Sequence, residues 1–128
     1  MHIKPGLLAV GFGLFLTAPI SAHHSWTADY DGDKPVTVQG VVSKVEWTNP
    51  HTHFYIDVKD PNGTVKTWNF EMASTLALER GGWTRRTQPV GTEVTVSGFG
   101  GRAVVERAIA NSITTAEGKA LFVGKPGQ

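Results

Sequence analysis

The 128-residue sequence contains no cysteine, which excludes disulfide scaffolds, thiolate zinc sites, thiol catalysis and thiol redox motifs together. It has almost no net charge, with 12 Lys+Arg against 11 Asp+Glu, so there is no general attraction for a polyanion such as nucleic acid. It has no long apolar run. The longest, Gly6–Leu16, is eleven residues, against the roughly 20 that a bilayer-spanning helix needs. There is no Gly-x-Ser-x-Gly elbow, Ser-x-x-Lys, His-Glu-x-x-His or phosphate loop, and no paired carboxylates at acid–base spacing. The sequence therefore predicts a protein that is not an enzyme. Hydrophobic content of 40% and four Trp exclude disorder, while 15 Gly and 7 Pro favour many turns over a helical bundle.

The first 22 residues have the three-part layout of a secretory signal peptide. Lys4 lies ahead of the apolar run, and the small-residue stretch Thr17–Ala22 follows it. A retained membrane anchor is the alternative. Cleavage after Ala22 is expected; Ala18 is a poorer site because Leu16 lies three residues before the cut and Pro19 follows it. Removal of residues 1–22 deletes one base, Lys4, and no acid, so the net charge becomes zero over 106 residues. The expected location is periplasmic or secreted, with no membrane span after cleavage. The expected organisation is a signal peptide over 1–22, an N-terminal arm over 23–34 and one domain over 35–128.

The domain reads as all-β. Val36, Val38 and Val42 share one phase and Val41, Val45 and Trp47 the other, with Gly40 at the expected bend. Thr52, Phe54, Ile56 and Val58 alternate with His51, His53, Tyr55, Asp57 and Lys59, the period-2 pattern of a half-buried strand. Asp60-Pro61-Asn62-Gly63 is a hairpin turn, and Lys66, Trp68, Phe70 and Met72 mark the inward phase of the return strand. Ser74–Arg80, with Ser74 as cap and Gly81-Gly82 as stop, is a short helix. Further strands are expected over Glu93–Phe99 and Ala103–Thr114, followed by a short apolar end at Leu121–Val123. Five strands with one helix between the third and fourth is the order of a small OB-like Greek-key barrel, with a β-sandwich fragment as runner-up. Trp47 and Trp68 are expected in the core and Trp83 at one barrel end. The cluster Arg80, Arg85, Arg86 reads as a solvated loop or, less simply, an anion site.

The segments HHSW (23–26), VTVQGVVSKVEWTNPH (36–51), DVKDPNG (57–63), NFEM (69–72), GGWTR (81–85) and VGTEVTVSG (90–98) carry a resemblance. Together they resemble a family of short secreted proteobacterial proteins catalogued only as a domain of unknown function. More loosely, the strand order is similar to that of periplasmic bacterial OB-fold proteins. The resemblance implies a compartment and a fold; it implies no activity, so the chemistry rests on the residues.

All four histidines beyond the signal segment fall into two pairs, His23-His24 and His51-x-His53. Residues two apart on a strand share a face, about 6.5–7 Å apart, so His51 and His53 can converge on one ion. Tyr55 and Asp57 continue that face and can add an oxygen ligand or orient the histidines. Cleavage after Ala22 makes His23 terminal, and its amine and ring nitrogen can chelate one Cu(II). Cleavage after Ser21 instead makes His24 third, which gives a square-planar Cu(II) or Ni(II) site. Trp26, beside these histidines in the arm, can pack near a metal. The plain alternatives are a surface histidine pair and a polar start that happens to hold histidine.

The sequence thus predicts a protein that sequesters or delivers Cu(II), with zinc or nickel as other candidates, through His23, His24, His51 and His53. The partner would be the ion and another periplasmic protein, not nucleic acid. The rival is a metal-independent OB module for a small ligand or an envelope protein. Imidazole must be neutral to bind a metal, so affinity is expected to fall as pH drops through about 6.5.

Overall fold

The structure, a computed structural model, describes residues 25–124; the expected signal segment and His23-His24 lie outside the described residues. The chain opens with a short 3-10 turn over Trp26–Ala28 and enters a long first strand, β1, Tyr30–Glu46. There follow β2 (His53–Lys59), β3 (Val65–Glu71), a short helix α1 (Thr75–Arg80), β4 (Glu93–Gly101), β5 (Arg107–Thr115) and β6 (Ala120–Val123). The strand order is β3-β2-β1-β4-β5-β6, and β3 also pairs in parallel with β5. That extra pairing closes the first five strands into a barrel, with α1 between the third and fourth: the OB-like Greek key expected from the sequence. The described residues hold six strands, not five. The apolar end at Leu121–Val123 pairs with β5, through Ile113 opposite Phe122, because an unpaired edge leaves backbone donors and acceptors open.

The local chemistry explains most of these elements. Phe54 and Ile56 are buried on β2, and Phe70 on β3 faces Phe54 across the pair with ring centroids 5.3 Å apart. Each such buried side chain contributes about 1.5–3 kcal/mol. The Asp60–Gly63 turn closes with Gly63 N donating to Asp60 O at 2.8 Å. Ser74 caps α1, its hydroxyl accepting from Ala77 N at 3.2 Å.

Four details differ from the sequence reading. β1 begins at Tyr30 rather than Pro35, and Tyr30, 1% exposed, belongs to the interior. The inward face of β1 switches at a bulge between Val42 and Lys44, not at Gly40. Gly40 is needed instead because a Cβ there would stand 2.4 Å from the Asp57 carbonyl oxygen on β2. Lys66 is exposed, since the free end of β3 runs past the core, and β5 starts at Arg107 rather than Ala103 because 102–106 forms a loop. Trp47 and Trp68 are half-buried and pack against the core. Trp83 is buried at one barrel end, donating its indole hydrogen to Leu121 O at 3.0 Å and meeting Phe122 edge-on.

Candidate functional site

A cleft of about 460 Å³ lies where the 3-10 turn crosses the ends of β2, β3 and β5, and its walls include Ser25, Trp26, His51, His53, Glu71 and Arg107. Both histidines of the His51-Thr52-His53 element therefore face one space. Trp26 reaches the same space, its ring stacked on Phe99 at 5.3 Å between centroids. Ser25, which follows His24 directly in the chain, also lines it.

The loop before His51 is fixed from two sides. The Asn49 side-chain oxygen accepts from both the backbone nitrogen and the hydroxyl of Thr75 at the start of α1, at 3.1 and 3.0 Å. The Thr48 hydroxyl donates to His51 O at 3.0 Å. The Trp-Thr-Asn-Pro-His element thus ties the histidine pair to the helix that follows β3.

Both imidazoles are anchored through Nδ1. For His51 that nitrogen lies 3.1 Å from Met72 O and 3.2 Å from Glu71 Oε1, both acceptors, so it carries the hydrogen. For His53 the tautomer follows from a chain of contacts. Lys44 pairs with Glu46, whose other oxygen accepts from the Tyr55 hydroxyl at 3.0 Å. Tyr55 has spent its hydrogen there and accepts from Asn69 Nδ2 at 3.4 Å. Asn69 Oδ1 consequently faces His53 Nδ1, at 3.0 Å, and the imidazole donates. Each ring is left with a lone pair on Nε2. A histidine that donates Nδ1–H to a carboxylate, carbonyl or amide oxygen is oriented as metal-binding histidines commonly are.

Beneath the histidines sits a buried polar group that the sequence reading missed. Glu71, 9% exposed, accepts from Tyr30 and from Arg107 Nη2 at 3.2 Å, and Arg107 Nε donates to the Tyr30 oxygen at 3.1 Å. Burial, and after it Glu71, raises the Tyr30 pKa well above that of an ordinary phenol. Burial works against the Arg107 guanidinium, but Tyr30 and Glu71 outweigh it and raise its pKa. Glu46 is held below the usual carboxylate range by its contacts with Lys44 and then Tyr55. The one signal available in the sequence was an acid inside an apolar strand, at Phe70-Glu71-Met72.

Tyr55 and Asp57 do not line the cleft. Tyr55 acts on His53 through Asn69, and Asp57, one strand position further out, accepts from the Thr67 hydroxyl at 2.7 Å. Among the described residues no three His, Asp or Glu side chains form a group able to hold a metal. Among the described residues no helix is long and apolar enough to cross a membrane.

Residues 14–109 match the model of a family described as a family of unknown function (DUF6152). No curated protein matches the chain. Two solved structures are similar. One is the dimeric N-terminal domain of PriB from Thermoanaerobacter tencongensis, at 19% identity over 66% of this chain and 97% of that one, with a TM-score of 0.48. The other is the S. cerevisiae mitochondrial single-stranded DNA binding protein Rim1, at 12% identity over 75% of this chain and 99% of that one, with a TM-score of 0.49. The OB-like assignment stands on the strand order and the β3–β5 closure.

Proposed function

The chain belongs to this family of unknown function, and we propose that it binds one divalent transition metal, Cu(II) first, in the cleft beside His51 and His53. The observation that carries the proposal is the placement of both histidines on one cleft. Both line one cleft, both donate through Nδ1, and both keep an Nε2 lone pair. His23 and His24 complete the site. Ser25, the residue that follows them in the chain, lines the cleft. Copper is favoured over zinc and nickel because the donors are nitrogen and oxygen and the divalent affinity order peaks at copper. In this reading residues 1–22 direct export and are cleaved, the protein is periplasmic or secreted as in the secreted proteobacterial proteins it resembles, and its role is sequestration or delivery. The balanced charge of the processed chain gives it no general attraction for nucleic acid.

The test uses the processed protein, stripped with chelator and titrated with Cu(II), Zn(II) or Ni(II) while its melting temperature is followed. Cu(II) at a hundredfold excess over Kd is expected to stabilise by about 2.7 kcal/mol, with a nitrogen-rich EPR spectrum. His51→Ala with His53→Ala is expected to abolish the shift, and a short N-terminal extension to weaken it sharply. The absence of any shift with all three ions would leave the metal-independent module. A cleft of about 460 Å³ is large enough for a small ligand in that case.

A further inference from the structure

Thr52 lies between the two histidines but faces the other way. It is 2% exposed, and its Oγ1 has no hydrogen-bond partner among the described residues. Gln88, in the loop between α1 and β4, is 3% exposed, and its Nε2 likewise has none. Both residues line a single slot of about 10 Å³, walled also by Trp47, Trp83 and Arg85. Buried polar groups are almost always paired, and leaving one unpaired costs about 1–3 kcal/mol. Two such groups around a space of that size call for one small polar partner, a hydroxyl or a water.

The slot shares four of its walls with a wider space. Trp47, Trp83, Thr84 and Arg85 also wall a surface groove of about 620 Å³, which adds Glu79 and Arg86. Trp47 is half-buried, so part of its indole is open to the groove. The loop that carries the two arginines is tied by its own contacts, Thr84 N to the Thr87 hydroxyl at 2.8 Å and Arg86 N to the Thr84 hydroxyl at 3.1 Å.

We propose that this groove is a second binding site, distinct from the histidine cleft, and that its ligand is an acidic carbohydrate. A sugar ring lies on the open indole of Trp47. Its carboxylate is met by Arg85 and Arg86, whose forked guanidinium groups suit that shape. A ring hydroxyl enters the slot, accepting from Gln88 Nε2 and exchanging a hydrogen bond with Thr52 Oγ1. Glu79 accepts from another hydroxyl. A plain anion would satisfy the arginines but leave the slot and the indole unused. A neutral sugar would leave the two cations unmatched.

The probe is tetragalacturonate, added to the full chain in the presence of EDTA so that no metal can bridge, and followed by calorimetry and tryptophan fluorescence. Saturable one-to-one binding is expected, with maltotetraose at least tenfold weaker. Arg85→Ala with Arg86→Ala, both exposed positions, is expected to weaken binding at least tenfold. Trp47→Phe should remove most of the fluorescence change. Gln88→Met, which fills the same space without the amide, should weaken binding several-fold in a protein that melts no lower than the parent. His51→Ala with His53→Ala should leave it unchanged, which separates this site from the metal cleft. Equal binding of maltotetraose, equal binding of inorganic phosphate, no binding of tetragalacturonate, or parent-like binding by the double arginine variant or by Gln88→Met would each overturn the assignment.

Discussion

Tyr30 donates its phenolic hydrogen to the carboxylate of Glu71, a residue 41 positions further along the chain and two strands away in the sheet. The bond joins the first residue of β1 to the last of β3, and Arg107 at the start of β5 contacts both. Replacing Tyr30 with Phe keeps the ring in place but leaves Glu71 short of a donor. The expected loss is about 1–3 kcal/mol in urea unfolding. Arg107→Met, which strips a largely buried carboxylate of its counter-charge, is expected to cost more. The double change Tyr30→Phe with Glu71→Gln should cost less than the sum of its parts, because the two act in one network. Strict additivity would show that the phenol and the carboxylate are energetically independent.

Both tyrosines of the chain have raised pKa values, Tyr30 through burial and then Glu71, Tyr55 through burial and then Glu46. The sign follows directly. The folded state holds each phenolic proton more tightly than the unfolded chain does. Their contribution to stability is therefore complete below the ordinary phenol pKa of about 10 and is lost as pH rises above it. Absorbance at phenolate wavelengths should stay low at pH 10 in the folded protein, then rise together with loss of the fold. Half-ionisation of both phenols at pH 10 in a folded protein would contradict this.

At Gly98 on β4 a Cβ would lie 1.9 Å from the Ile109 carbonyl oxygen of β5, at the bulge between Ser97 and Gly98. The obstacle is backbone, which cannot swing aside as a side chain can. Gly98→Ala is expected to cost more than about 3 kcal/mol, at the severe end for a single substitution. Gly118→Ala is the control: φ there is +83° but the space around it is open, so only the backbone strain of about 1–2 kcal/mol applies. Thermal melts of the two variants should differ by many degrees, and equal melting points would mean that the strand spacing at Gly98 relaxes freely.

If the cleft holds a metal, Asn69 matters without touching it, since its side-chain oxygen is what gives His53 its tautomer. Asn69→Ala is expected to weaken Cu(II) binding by about 10- to 100-fold. Asn69→Asp keeps an oxygen acceptor facing Nδ1 and should recover most of that loss. Competitive titration against a chelator of known affinity measures both, and an unchanged constant for Asn69→Ala would remove Asn69 from the site.

Most of the barrel was legible in the sequence because its signals are local. The alternation from Thr52 to Val58, the Asp60–Gly63 turn, the Ser74 cap and the Gly81-Gly82 stop each act within a few residues. The pairing of His51 with His53 was legible for the same reason, since strand geometry alone puts residues two apart on one face. What lay beneath them was not. Tyr30, Glu71 and Arg107 come from three strands that only barrel closure brings together, and no local pattern links them. Tyr30 sits in a polar stretch that reads as a solvated arm, so its burial depends on the 3-10 turn and on the loop after β4, where Arg102 N donates to Asp29 O at 2.9 Å. The phase change in β1 is visible as a pattern, but its place is not. A bulge at Val42–Lys44 and a close approach at Gly40 leave similar marks on a sequence.

The barrel closes on a short seam, in which Asn69, Phe70 and Glu71 of β3 lie beside Arg107, Ala108 and Ile109 of β5. Asn69 and Glu71 are also the residues that hold His53 and His51. A ligand that grips the two imidazoles therefore clamps the seam from its end, and amide hydrogens along 69–71 should exchange more slowly in the loaded protein. The same three-residue latch that shuts the cylinder would then report whether its cargo is aboard.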